Sequence, residues 1–342
     1  MDLTLHYLML KKERVNIKLL YDPVGFIFQR GDEITRLHLF QFLDLLETKK
    51  GKELILHLLM SQMPSGGFPS RFHNKVEEIK ETCRNTLLLL KCGYPHNSLN
   101  IQSAVNYLLK HQREDGGWSE NPKLTIPEKM VELTTAQSIT WLTADIIELL
   151  RTVGLDESEP CKKALNWLRK MQNQDGGWPM FKKDQFRGSD PDSTAQILFM
   201  MREIYGEKDA VWLKGIKLFE KFLDEVVADA EKGYYIAPNG EKRENDIYHL
   251  THLLLSSLVD SKRRIEAGYN LNDVRINKIV HAILKSQRED GGWRPFWTPN
   301  SDPTYTMLTL KLLVWLGVIN SEELRRDIAR KVAMATKVRL PK

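Results

Sequence analysis

The chain has 342 residues, 42% of them apolar and 28% charged, with a formal net charge of +5. Such a mixture buries a sizeable core and excludes disordered and fibrous classes. Lys and Arg are interspersed with Asp and Glu rather than gathered in blocks, so no nucleic-acid partner is expected. The three cysteines, Cys83, Cys92 and Cys161, form no CxxC pair and no even framework, which points to a reducing, cytoplasmic setting without disulfides.

The opening MDLTLHYLMLKKERVN carries its charges after a short apolar run, the wrong order for a secretory signal. No apolar run approaches the ~20 residues of a membrane span, so a soluble protein is expected, with peripheral membrane contact left open. Residues 1–31, with NIKLLYDP and GFIFQRGD, are predicted as an extension of short strands packed on one end. From residue 32 to 337 an internal repeat governs the reading. SQMPSGGF ends at Phe68, and HQREDGGW ends fifty residues later at Trp118. MQNQDGGW ends after sixty more at Trp178, and SQREDGGW after a further 115 at Trp293, about twice the unit. A decayed copy, EKGYY at 231–235, falls in the gap and keeps only a glycine followed by an aromatic residue.

Each unit reads as helix, turn, helix. Amphipathic runs such as SAVNYLLKHQ and KALNWLRKMQ precede the turn and suit an outer position. The Asp-Gly-Gly is expected to cap them, since glycine reaches positive φ without a Cβ clash. More uniformly apolar helices follow and suit an inner position, predicted at 33–48, 75–92, 129–152, 191–205, 246–259 and 303–317. The helix at 321–335 then closes a sixth pair with 33–48. The predicted architecture is a single all-α barrel of six inner and six outer helices.

The repeated Gln112, Gly117 and Trp118, with Gln172, Gly177 and Trp178 and with Gln287, Gly292 and Trp293, resemble the QW motifs of squalene and oxidosqualene cyclases and of protein prenyltransferase β-subunits. The resemblance covers roughly residues 50–320 and implies an α/α toroid in which the Gln caps an outer helix and the Trp stacks beside it. It explains the repetition as wall architecture, which carries no chemistry of its own.

Chemistry is expected at the inner-helix starts. In GSDPDSTAQILFMM, Asp190 before Pro191 reads as an N-cap with proline at the first helical position, and Asp302 with Pro303 repeats it. Asp192 lies past the cap, in the first turn of an apolar helix, a place where an acid also complements the helix dipole. Asp192, Ser193, Thr194 and Ala195 are similar to the D-x-D-D-T-A motif of class II cyclases, with Asp190 and Asp192 at its outer and central acids and Ser193 departing from its last aspartate. The resemblance implies that Asp192 protonates an isoprenoid alkene, with Asp190, Thr194 and Asp246 in support, in a water-free aromatic cavity and with no cofactor. His249, 57 residues on and so about one repeat away, is expected to face Asp192 and orient it. Phe181, Phe186, Tyr248, Phe296, Trp297 and Tyr305 are the aromatic candidates for contact with a cation.

Asp246, Ile247, Tyr248 and His249 are also similar to the D-x-Y-H of the prenyltransferase β-subunits. There the implied cofactor is zinc, with Asp190 and Asp192 standing where the family has D-x-C, and the implied partner is a second, helical subunit. A homodimer and a non-catalytic toroid that binds a lipid or a protein are left open beside it. No P-loop, GxGxxG, GxSxG or HExxH is present, and no aspartate-rich magnesium site for diphosphate ionisation.

Overall fold

The computed structural model describes residues 19–337 apart from 72–74, 125–130, 132–133, 182–187, 237–239, 245–262, 264–265 and 296–297. Among the described residues it is all-α, with twelve helices and only two antiparallel two-stranded ribbons. No described helix is long and apolar enough to cross a membrane. The chain divides into two compact units, one of Ile55–Phe222 and the other of the described residues up to Leu54 and from Leu223 onward. The predicted inner helix at 246–259 lies outside the described residues.

The unit of Ile55–Phe222 opens within α3 (Lys49–Met60) and holds α4 (Ile79–Lys91), α5 (Leu99–Lys110), α6 (Thr140–Thr152), α7 (Glu159–Lys170) and α8 (Pro191–Tyr205), ending within α9 (Ala210–Lys232). Ribbon β1–β2 pairs Phe68–Pro69 with Glu77–Glu78. The inner helices α4, α6 and α8 pack in sequence, α4 on α6 and α6 on α8. Their starts are later than the periodicity predicts at α4 and α6, because the residues immediately before them run extended: Glu77 and Glu78 pair as a strand, and Ile139 forms an antiparallel bridge with Phe181 rather than a helical turn.

The repeated turn is built the same way four times, with Phe68 in place of the tryptophan at the first. After α5 the turn closes with Arg113 N–H donating to Gly117 O at 2.9 Å and Gly116 N–H to Arg113 O at 2.9 Å. Gly116 is left-handed, but α5 itself ends on His111 at φ −100°, so the glycine closes a separate turn beyond the helix instead of capping it. The Trp118 indole N–H donates to Leu108 O at 2.7 Å and satisfies one of the carbonyls that a helix end leaves open. The Gln112 amide donates to Gly116 O at 2.9 Å and to Pro160 O, in the first turn of α7, at 2.8 Å. The indole therefore serves its own outer helix, and the glutamine ties that helix to the next. Gln62 reaches Asn100 O and Gln172 reaches Val211 O in the same way, both at 2.9 Å.

Two further contacts extend the motif beyond its known letters. Asp115, Asp175 and Asp290 each accept from the amide of the second glycine, Gly117, Gly177 and Gly292, and from Ser138, Ser189 and Ser301 respectively, at the threshold of the next inner helix. The second glycine of each pair is needed for that approach: a Cβ on Gly177 would stand 2.3 Å from Ser189 Cβ. Five residues after each serine, Thr143, Thr194 and Thr306 accept the amide of Trp118, Trp178 and Trp293 at 3.1, 2.9 and 3.0 Å.

The start of α4 is held from elsewhere in the chain. Its N-cap Glu78 makes no side-chain cap, and Glu120 Oε2 accepts the Ile79 N–H at 3.1 Å instead. Burial, with Glu78 nearby, pushes the Glu120 carboxyl up to about 7. A raised value in the folded state means stability that is present in acid and lost as pH climbs from about 4.5 to about 7, on the order of 3 kcal/mol over that window. Glu120→Gln keeps the acceptor and should flatten the dependence of the melting temperature on pH between 5 and 8. An unchanged slope in the variant would remove Glu120 as its source.

The other unit contains α1 (Pro23–Arg30), α2 (Glu33–Phe42), α10 (Val274–Lys285), α11 (Pro303–Trp315) and α12 (Ser321–Lys337), with ribbon β3–β4 pairing Tyr234–Ile236 and Lys242–Glu244 at the decayed repeat. Residues 23–30, expected as strand, are helical. Asp22 caps α1 by accepting the Gly25 N–H at 2.8 Å, and Pro23 occupies its first position. Helix α1 packs on α2 and α11, and its Tyr21 carbonyl receives the Gln287 amide at 3.4 Å. It therefore takes the tie that the other repeats give to the next outer helix, a place the sequence assigned to 321–335. Helix α2 stops at Phe42, six residues short of its predicted end, where Leu43 and a left-handed Asp44 (φ 55°) turn the chain.

Candidate functional site

Helix α8 begins as its sequence predicts. Asp190 Oδ2 accepts the Ser193 N–H at 2.7 Å, and Pro191 sits at the first helical position. Asp302 caps α11 by accepting the Tyr305 N–H at 2.9 Å. Thr194 is wholly buried and its hydroxyl is committed to the Trp178 amide, so the Thr of the D-S-T-A stretch anchors the wall. Ser193 is 1% exposed.

Asp192 stands beyond the cap, half-buried, in the first turn of α8. One turn on, and so on the same helical face, lies Gln196. Its amide donates to Trp141 O at 3.2 Å and to Asp145 Oδ1 at 2.7 Å, both on α6. Asp145 is 2% exposed, and its other oxygen receives the Arg84 Nε and Nη2 donors of α4, each at 3.5 Å. The Arg84 guanidinium also lies 5.6 Å from the centre of the Trp141 ring. Burial raises the Asp145 carboxyl above the ordinary carboxylate range, the Arg84 charge and the Arg84 and Gln196 hydrogen bonds draw it back, and the Asp192 charge adds to the rise.

Asp145, Gln196 and Arg84 were not among the residues the sequence singled out. The inner helices are less uniformly apolar than expected, because α4 also buries Glu81 and Asn85 and α6 buries Glu148. Each buried charge has a partner that offsets its desolvation: Arg71 lies 3.3 Å from Glu81 and Arg151 3.8 Å from Glu148. The signal for Asp145 was an acid in the middle of the apolar run TADIIELL.

Of the aromatic candidates, Phe181 is buried and held against the start of α6 by its bridge to Ile139. Tyr305 is half-buried on α11 in the other unit. Phe186, Asp246, Tyr248, His249, Phe296 and Trp297 lie outside the described residues, so the paired acid and histidine and the D-x-Y-H set stay at the level of sequence.

Residues 35–180 match the family model of the squalene–hopene cyclase C-terminal domain, and residues 120–337 match that of the prenyltransferase alpha-alpha toroid domain. Asp190–Ala195 falls in the second match alone. The squalene–hopene cyclase of Zymomonas mobilis is 32% identical over 142 residues, which cover 41% of this chain and 20% of that protein. This chain thus matches about a fifth of that curated relative's length. Among solved structures, a type II terpene cyclase from Scytonema in complex with geranylgeranyl dihydroxybenzoate superposes with a TM-score of 0.52 at 15% identity, over 84% of this chain and 88% of that one. Candida albicans protein geranylgeranyltransferase-I, complexed with GGPP, does so with a TM-score of 0.54 at 13% identity, over 89% and 91%. At such identities the likeness is one of fold. The toroid match spans well over half of the chain, which belongs to the prenyltransferase alpha-alpha toroid family, the superfamily of the terpene cyclases and protein prenyltransferase β-subunits.

Proposed function

We propose that the protein is a class II terpene cyclase-like isomerase in which Asp192 starts cyclisation of an isoprenoid chain by protonation. The observation that carries this reading is the position of Asp192: the cap is already made by Asp190, and the next turn of the same face engages a buried acid on the neighbouring inner helix. A first-turn aspartate that only capped its helix would leave Asp190 without a role. The squalene–hopene cyclase relative and the cyclase fold support the same reading. In the proposed reaction the proton of Asp192 forms a new C–H bond at one end of an alkene. The cation left behind is attacked by further alkenes, and loss of a proton from carbon ends the sequence. Substrate and product are then isomers, and neither metal nor redox cofactor is required.

Asp192→Asn preserves shape and removes the acid. Incubated with farnesyl or geranylgeranyl diphosphate or squalene, the unaltered protein should give cyclised product, and the variant should give 10²–10⁴-fold less, on the order expected for loss of a general acid. The melting temperatures should agree within a few degrees. Equal product from both proteins would remove Asp192 from the mechanism, and no product from either would favour a binding role for the toroid.

A further inference from the structure

Asp145 joins three inner helices. It takes Arg84 from α4 and Gln196 from α8 while sitting in α6 at 2% exposure. Gln196 spends its amide donor on α6, on Asp145 Oδ1 and Trp141 O, which fixes the amide. Asp192 stacks one turn before Gln196 on that fixed face. A buried ion pair of this kind is a weak source of stability, since apolar residues of the same volume serve as well or better, and its presence calls for another role.

We infer that Asp145 is the positioning residue of this site, holding the Asp192 face of α8 through Gln196. The inference rests on the cyclase reading for its catalytic meaning, though the tie of Gln196 to Asp145 is itself a property of the fold. The titratable and charged groups around Asp145 are Arg84 and Cys83 on α4, Glu148 on its own helix and Asp192 on α8. Within that set Arg84 and Gln196 offer Asp145 donors for a negative charge. The Asp192 charge adds to the upward displacement of Asp145.

The test reads the coupling without relying on turnover. In protein labelled with ¹³C at the aspartate carboxyls, the Asp145 signal is assigned by its loss in Asp145→Asn and followed against pH. In Asp192→Asn its midpoint should fall by at least about half a pH unit, because a neighbouring negative charge has been removed. An unchanged midpoint overturns the inference. With a cyclised substrate in hand, Asp145→Asn should lower kcat at least tenfold with KM unchanged and should move the pH profile of kcat, which a purely structural loss would only scale. A profile of unchanged shape also counts against the inference. If Asp145→Asn does not fold, Asp145→Glu, which keeps a carboxylate for Arg84, assigns the aspartate signal by its loss, and the Asp192→Asn titration still decides, since Asp192 is half-exposed and its change leaves the Arg84 pair intact. Movement of the midpoint in a protein that makes no product would leave the arrangement standing and sink the cyclase reading alone.

Discussion

Gly176→Ala should destabilise the protein by about 2–5 kcal/mol, and Gly206→Ala by only about 1–2 kcal/mol, although both glycines are left-handed. Their φ values are 100° and 83°, so each alanine carries the cost of placing a Cβ residue in that region. The difference lies in what the new methyl meets. At Gly206 there is nothing within 4 Å. At Gly176 the Cβ would stand 2.4 Å from the carbonyl oxygen of Lys214 and 2.7 Å from its carbon. Those are backbone atoms of α9, which cannot swing aside as a side chain would. The clash also falls where Gln172 binds Gly176 O and Val211 O, so relief by moving α9 would break the tie that holds the two outer helices. Denaturant midpoints at constant slope give the comparison directly. Equal losses at the two positions would mean that the turn tolerates displacement and that the close approach is not what requires glycine.

The same contacts show why the wall was legible in the sequence and the site less so. A repeat that must close its own turn with one indole, one aspartate and two glycines and bind its neighbour through one glutamine writes those residues at a fixed period, and Phe68, Trp118, Trp178 and Trp293 are enough to find it. The serine and threonine partners were equally regular, five residues apart at Ser138 and Thr143, Ser189 and Thr194, and Ser301 and Thr306. They carry no signal of their own, because small hydroxyl residues are common at helix starts. Thr194 resembles part of a catalytic motif while its hydroxyl serves the Trp178 amide. Helix α1 is hidden for a different reason: FIF is a short apolar run that periodicity cannot assign, and the Asp22-Pro23 start, the same signal as Asp190-Pro191 and Asp302-Pro303, is the better guide. Asp145 could be suspected from its apolar surroundings. Its partner Arg84 is 61 residues away, on another repeat, where no local window could join them.

Arg84→Met should cost about 3–5 kcal/mol at neutral pH, and the cost should shrink in acid. The arginine is the main influence drawing the Asp145 carboxyl back from the rise that burial imposes. Without it Asp145 is left in an apolar setting with Gln196 as its donor, and its proton affinity in the folded state climbs further above that of the unfolded chain. A group raised in this way favours folding at pH values below its unfolded value, ~4, and loses that contribution as pH rises through the folded value. The gap between the unaltered protein and Arg84→Met should therefore be narrow near pH 4.5 and widest at pH 7.5 and above. The part of the loss due to the cation above the Trp141 ring, about 0.5–1 kcal/mol, should persist at both. Methionine fills much of the volume of the arginine stem, which keeps a cavity from dominating the result. Changing both partners, Arg84→Met with Asp145→Leu, removes the charge that cannot be buried alone and should recover most of the stability at pH 7.5. Urea unfolding of the three proteins at the two pH values measures each quantity. A gap that is the same at both would mean that packing of the arginine stem, and not the Asp145 charge, holds α4 to α6. The double change would then recover nothing, and the case for Asp145 as the carboxylate that fixes the α8 face would lose its electrostatic basis.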